Sequence, residues 1–181
     1  MSKPVRSIST PVRLEYIYSA GEAPTRFLRG ISQKKIIGQR CPVTGKVYVP
    51  SAGASPTHGV PTVGEVEVSH KGTVTTFCIV RIPTENLSVQ PPFVAASVLL
   101  DGADIALFHV IDGCPVEEVR MGMRVQAVWV PDEELAPTLE SIKYFEPIDE
   151  PDAGCHKRAR LIQGRRNCDA SASECPETQQ R

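Results

Sequence analysis

Between residues 62 and 146 the apolar positions fall into short runs, each closed by Gly, Pro, Asp or His. The runs cover 62–69, 72–82, 93–100, 105–111, 124–130 and 141–146. Two of them alternate with a period of two, as a strand with two unlike faces does. In the first, Val63, Glu65 and Glu67 oppose Gly64, Val66 and Val68. In the other, Val125, Ala127 and Trp129 oppose Gln126, Val128 and Val130. Asp101-Gly102 sits between two apolar runs and predicts a hairpin turn. His70-Lys71-Gly72 predicts another, and residues 116–120 have room for one helical turn. No helix in this region is long enough for a crossover between parallel strands, so the pattern predicts a small closed or partly open β-barrel.

Upstream, the period changes. Phe27, Leu28, Ile31 and Lys35 lie near helical spacing, and Thr25 after Pro24 is a natural cap, so a helix is expected over 25–37. Gly30 weakens that helix and Gly38 ends it. Residues 13–20 alternate or form an extended arm, and 1–12 are polar. From 151 onward periodicity is lost, which predicts a disordered tail. The chain thus divides into an arm with a helix (1–38), a Gly- and Pro-rich segment (39–60), a barrel (61–150) and a tail (151–181).

The 39–60 segment has the layout of a zinc ribbon, with two knuckles around a short hairpin at 47–49. By spacing its four ligand positions hold Cys41, Thr44, Ser55 and His58. Structural zinc takes thiolates and imidazoles, and neutral hydroxyls are poor ligands. The expectation is a ribbon held by hydrogen bonds and packing, with no metal, in which Cys41 is a small buried hydrophobe.

Hydrophobic content of 41% fits a soluble globular chain. The longest apolar run, 93–100, is too short to span a bilayer. Residues 1–6 are not followed by an apolar stretch, so a cytosolic protein without disulfides is expected despite the six cysteines. Charge is uneven. Residues 1–46 carry nine basic and two acidic side chains, whereas 47–154 carry five basic and sixteen acidic ones. Arg26, Arg29, Lys34, Lys35 and Arg40 concentrate positive charge ahead of the barrel, where it can meet an acidic partner or a phosphate. His109, Asp112 and Cys114 can be drawn as a nucleophile set, but an ordinary barrel histidine, a turn aspartate and an inert thiol are expected instead. Glu117 and Glu118 mark a solvated turn. No catalytic residue and no cofactor is expected.

Several motifs, in this order, resemble an acyl-CoA-associated family that couples a rubredoxin-like zinc ribbon to an OB-fold barrel. They are Ile37-Gly38-Gln39-Arg40-Cys41, Gly45-Lys46-Val47-Tyr48-Val49-Pro50, Gly72-Thr73-Val74-Thr75-Thr76-Phe77, Pro91-Pro92-Phe93-Val94-Ala95, the segment from Val116 to Val125, and Ile142-Lys143-Tyr144-Phe145-Glu146-Pro147. The resemblance spans about residues 24–148. It implies a mainly β chain: an OB-fold barrel preceded by a helical arm and a rubredoxin-like ribbon, here metal-free. It also implies a non-catalytic partner of a thiolase-superfamily or lipid-transfer-type enzyme, or of an enoyl-CoA hydratase, that meets acyl-CoA indirectly in lipid or steroid metabolism. The basic residues from Arg26 to Arg40 would then contact the partner or the CoA phosphates. Single-stranded nucleic acid is the rival ligand of such barrels. The acidic barrel opposes it, and Phe77 and Phe108 are expected in the core.

Overall fold

The computed structural model describes residues 15, 17, 19–83 and 89–154. The expectations for residues 1–12 and for the chain beyond 154 lie outside it, as does half of the arm over 13–20.

Helix α1 spans Glu22–Ile31. It starts earlier than Thr25 because Gly21, at φ 76°, breaks the preceding chain, and Glu22 then suits the positive end of the helix dipole. It stops at Ile31, short of the expected 37. Lys34 takes a left-handed turn at φ 56°, and the N–H groups of Gln33 and Lys35 both bond to the Gly30 carbonyl. The β-branched Ile36 and Ile37 then enter a strand instead of prolonging the helix. Gly30 is needed because the chain folds straight back over it. A Cβ there would lie 2.8 Å from Ile37 Cγ1 and 3.0 Å from the Lys35 carbonyl oxygen.

β1 (Ile36–Arg40) is the centre of a three-stranded antiparallel sheet, flanked by β2 (Val47–Tyr48) and β3 (Val63–Val68). The run at 62–69, read from its alternation as a barrel strand, therefore pairs with β1. Alternation reports that one face is buried, not which neighbour covers it.

The barrel is closed by five strands: β4 (Lys71–Val80), β5 (Phe93–Leu100), β6 (Leu107–Ile111), β7 (Arg124–Trp129) and β8 (Ile142–Pro147). Their order around it is β4-β5-β6-β8-β7. All pairs are antiparallel except β6 with β8, which meet at Ile111 and Phe145. This is the OB-fold arrangement, and it buries Val98, Leu100, Val125, Ile142 and Phe145 almost completely. Phe27 and Ile31 of α1, and Val47 and Val49 beside it, belong to the same continuous core cluster.

Phe108 departs from expectation. Leu107 and Ile111 of β6 are buried, so Phe108, on the opposite face of the pleat, points outward and is 65% exposed. Phe77 is half-buried against the core, as its apolar strand suggested.

Two polar clamps fix the assembly. The Asp104 carboxylate accepts from the Val47 N–H at 2.8 Å, and the Asp104 N–H donates to the Val47 carbonyl, also at 2.8 Å. At the other, Arg124 is only 11% exposed and donates to both carboxylate oxygens of Asp101, to Glu150 at 3.0 Å and to the Thr73 hydroxyl.

Candidate docking site

The four ribbon positions are brought together in pairs. Around Cys41, its own N–H donates to the Lys46 carbonyl at 2.8 Å and Gly45 N–H donates back to its carbonyl at 2.9 Å. Around Ser55 the pattern recurs. Its N–H donates to the Val60 carbonyl at 2.8 Å and Gly59 N–H donates to its carbonyl at 2.8 Å. Cys41 and Ser55 are thus equivalent positions in two matching turns, and both are fully buried. Thr44 and His58 hold the outer positions and are exposed.

The Cys41 thiol is pulled down to about 6, first by the Ser55 hydroxyl, then by the Thr44 hydroxyl, against the opposing effect of burial. Backbone N–H groups of Thr44 and Val43 add to the lowering. The Tyr48 hydroxyl lies 3.3 Å from Ser55 Oγ. Hydroxyls and amides here surround a thiol as a metal ion would, with neutral donors in place of a cation. No cluster of three or more His, Cys, Asp or Glu side chains able to hold a metal occurs among the described residues.

The basic residues are placed around α1 and β1, and most are matched within the chain. Arg26 bonds to Glu22 and lies 3.7 Å from Glu65 of β3. Lys35 lies 3.9 Å from Glu67 of the same strand, and Lys34 lies 2.5 Å from Asp132. Arg40 donates to the Gly45 carbonyl at 2.7 Å, tying β1 to the first turn. Arg29 is in the last turn of α1, where a cation suits the helix dipole. Three of the five thus meet carboxylates from beyond residue 46, which offsets part of the charge imbalance seen along the sequence. These pairs are exposed and each contributes little to stability.

His109, Asp112 and Cys114 do not assemble. The His109 ring stacks edge-on against Phe145 at 5.6 Å, its Nδ1 has no partner among the described residues, and burial pushes its pKa down. Asp112 accepts from the Gly113 N–H at 2.7 Å as a turn residue. Burial, and the Glu118 and Asp112 carboxylates, push the Cys114 thiol up, which is opposite to what a nucleophile needs.

Two features escaped the sequence reading. One is the outward face of β4–β6. Thr76, Ser97 and Phe108 pair in one row and Cys78, Ala95 and Val110 in the next, so this face is uncharged with one large exposed aromatic. The other is a buried polar cluster at Gln39. Its Oε1 accepts from the Ser51 hydroxyl at 2.9 Å and the Thr62 hydroxyl at 2.6 Å. Nothing local in the sequence marks three residues so far apart as neighbours. Among the described residues no helix is long and apolar enough to cross a membrane.

Comparison with known proteins agrees with this architecture. The family described as ChsH2, C-terminal OB-fold domain, matches residues 65–130. A DUF35 domain-containing scaffold protein of Methanocaldococcus jannaschii is 34% identical over 95 residues, covering 52% of this chain and 67% of its own length. One of Pyrococcus furiosus is 31% identical over 105 residues, covering 58% of this chain and 76% of its own. Among solved structures, the chain is similar to one described as an Ltp2-ChsH2(DUF35) aldolase, with a TM-score of 0.54 and 19% identity over 70% of this chain and 95% of that one. It is also similar to a DUF35-family protein of unknown function from Sulfolobus solfataricus, with a TM-score of 0.51 and 20% identity over 70% of this chain and 84% of that one. At these identities the two structures speak to the fold alone. The two archaeal sequences carry the assignment further: the chain belongs to the family of DUF35 domain-containing scaffold proteins.

Proposed function

We propose that this chain is a non-catalytic accessory subunit that docks on a thiolase-like or lipid-transfer-type enzyme of acyl-CoA metabolism. The uncharged outer face around Phe108 carries the reading. A bulky aromatic left 65% exposed on a sheet face without charge suits a protein surface. The relatives named scaffold proteins, and the neighbour named as an aldolase of Ltp2 with a DUF35 protein, support it. The family resemblance supports the acyl-CoA context, with a lipid or steroid chain as the substrate class and an enoyl-CoA hydratase as the other partner type. On this reading α1 and a metal-free ribbon over 39–60 form one contact region and the barrel face another. Arg29, which pairs with no carboxylate among the described residues, is then the best placed of the basic residues to meet a partner's acid or a CoA phosphate. The others, Arg26, Lys34, Lys35 and Arg40, would exchange an internal partner for an external one.

One observation favours a second reading. Phe108 lies on the face of the second and third barrel strands, where OB folds stack bases. Stacking sites also need a basic groove, and the row neighbours Thr76, Ser97, Cys78, Ala95 and Val110 bring no cation. Co-expression with a thiolase-superfamily enzyme of the same genome, followed by size-exclusion chromatography, tests the choice. A stable complex is expected. Salt-sensitive binding to single-stranded oligonucleotide, with no complex, would favour the second reading.

A further inference from the structure

Among the described residues, two buried side-chain nitrogens have no hydrogen-bond partner, His109 Nδ1 and Trp129 Nε1, and only the first can take up a proton. His109 shares the inward face of β6 with Leu107 and Ile111, which are both buried. Its ring meets the fully buried Phe145 edge-on at 5.6 Å. It also lies against the backbone of Leu139, in the short helical turn Leu139–Ser141 that leads into β8.

That turn holds the link between β7 and β8 in place. The Val130 N–H donates to the Ser141 carbonyl at 3.0 Å. The Ser141 hydroxyl donates to the Ala136 carbonyl at 2.7 Å and accepts from the Ala136 N–H at 3.0 Å. Leu139 packs on the barrel core, and Asp132 of the same link lies 2.5 Å from Lys34, just beyond α1. The link therefore ties the seat of α1 to the barrel, and His109 lies beneath one end of it.

The surroundings suit the neutral ring alone. A second proton would make Nδ1 a charged donor with no acceptor in an apolar setting. No neighbouring element offers a counter-charge. β5, which pairs with His109 at Ala96, carries no titratable group over Phe93–Leu100. β8 brings Lys143, Tyr144 and Glu146, but Lys143 lies over the Tyr144 ring and Glu146 accepts from Gln126. The helical turn brings Glu140, which is exposed, and Asp112 after β6 is engaged by the Gly113 N–H. Burial is accordingly the first cause that drives the His109 pKa down, and the backbone of Leu139 and Val110 offsets only part of it. The unfolded ring takes up its proton near pH 6.5 and the folded ring only below that. The closed arrangement thus holds in full above 6.5 and weakens as pH falls below it.

We propose that His109 is an acid-sensitive latch: on taking up a second proton its ring swings out to water, leaves Phe145 and Leu139, and frees the link over 130–141 from the barrel. The tie between Asp132 and Lys34 loosens with it, so the seat of α1 is firm at neutral pH and slack in acid. The device belongs to the fold and stands whether or not the docking reading does.

The test takes the full ¹⁵N-labelled chain from about pH 7.5 to about pH 5 and follows the His109 ring nitrogens together with amide exchange corrected for intrinsic rate. Protection at Val130 and Ala136 should fall at least about threefold relative to the β5 amides, in step with proton uptake at His109. His109→Gln cannot gain a charge and should keep that protection throughout. His70→Gln, which removes the ring 5.2 Å from Trp129, should behave as the parent. The proposal is overturned if protection at Val130 and Ala136 is level across the range, if the β5 amides lose theirs equally, if His109→Gln loses it as the parent does, or if the loss vanishes in His70→Gln. Should His109→Gln fail to fold, the parent decides the matter: a loss of protection out of step with His109 protonation overturns the latch.

Discussion

The Ser55 hydroxyl and the Cys41 thiol face each other between two backbone turns of the same design. Ser55 first, then the Thr44 hydroxyl and the amides of Thr44 and Val43, lower the thiol from its ordinary 9.0 to about 6 against the opposing effect of burial. The unfolded thiol keeps its proton up to about pH 9 and the folded one only to about 6. The fold therefore gains stability as pH rises from about 6 to about 9, and this gain is lost as pH falls through about 6. Melting temperatures of the parent and of Cys41→Ser should accordingly diverge as pH rises across that window. Parallel curves would show that the hydroxyls do not hold a thiolate.

Restoring the chemistry of the turns should restore an ion. Thr44→Cys with Ser55→Cys would place three thiols and His58 at the four ribbon positions. Because both turns keep their N–H to carbonyl pattern, the double variant is expected to take up one zinc per chain and melt higher with zinc than with chelator. Elemental analysis and calorimetry read this directly. Absence of stoichiometric zinc would mean that the outer positions, exposed at Thr44 and His58, do not converge.

Gly30→Ala offers a contest between local and tertiary effects. Helix propensity alone favours alanine by about 1 kcal/mol. The new Cβ would meet Ile37 Cγ1 at 2.8 Å and the Lys35 carbonyl oxygen at 3.0 Å, and the second contact is backbone that cannot swing away. The substitution is expected to destabilise by about 1–3 kcal/mol in urea unfolding. A net gain would show that the turn after α1 relaxes freely.

Phe108→Ser separates stability from assembly. An exposed site on a strand should change unfolding free energy by no more than about 0.5 kcal/mol. If the barrel face docks, the same change should cost the complex at least tenfold in affinity, measured by calorimetry against the co-expressed enzyme. Undiminished binding would move the interface away from β6.

Much of the barrel was legible because its strands are bounded by turn residues. The run at 93–100 matches β5 at both ends. The helix was legible in existence but not in extent, since its end depends on Gly30 touching a strand that sequence periodicity cannot place. The strand at 63–68 was visible, yet its partner β1 straddled the end of the expected helix, at Ile36 and Ile37, and the start of the ribbon segment. The basic cluster was visible as charge, while its pairing with Glu65, Glu67 and Asp132 depends on the fold. Gln39 was invisible as a buried polar residue because its neighbours Ser51 and Thr62 come from beyond two turns.

The exchange between Asp104 and Val47 joins the hairpin after β5 to β2 through both backbone and carboxylate. With Phe27, Val49 and Phe145 in one cluster, the helix, the ribbon segment and the barrel share a continuous core. On the proposed reading, a surface gripping α1 and a surface resting on β6 would be held at a set separation and angle. The chain would then work as a gauge block between them, favouring a partner geometry that matches its own.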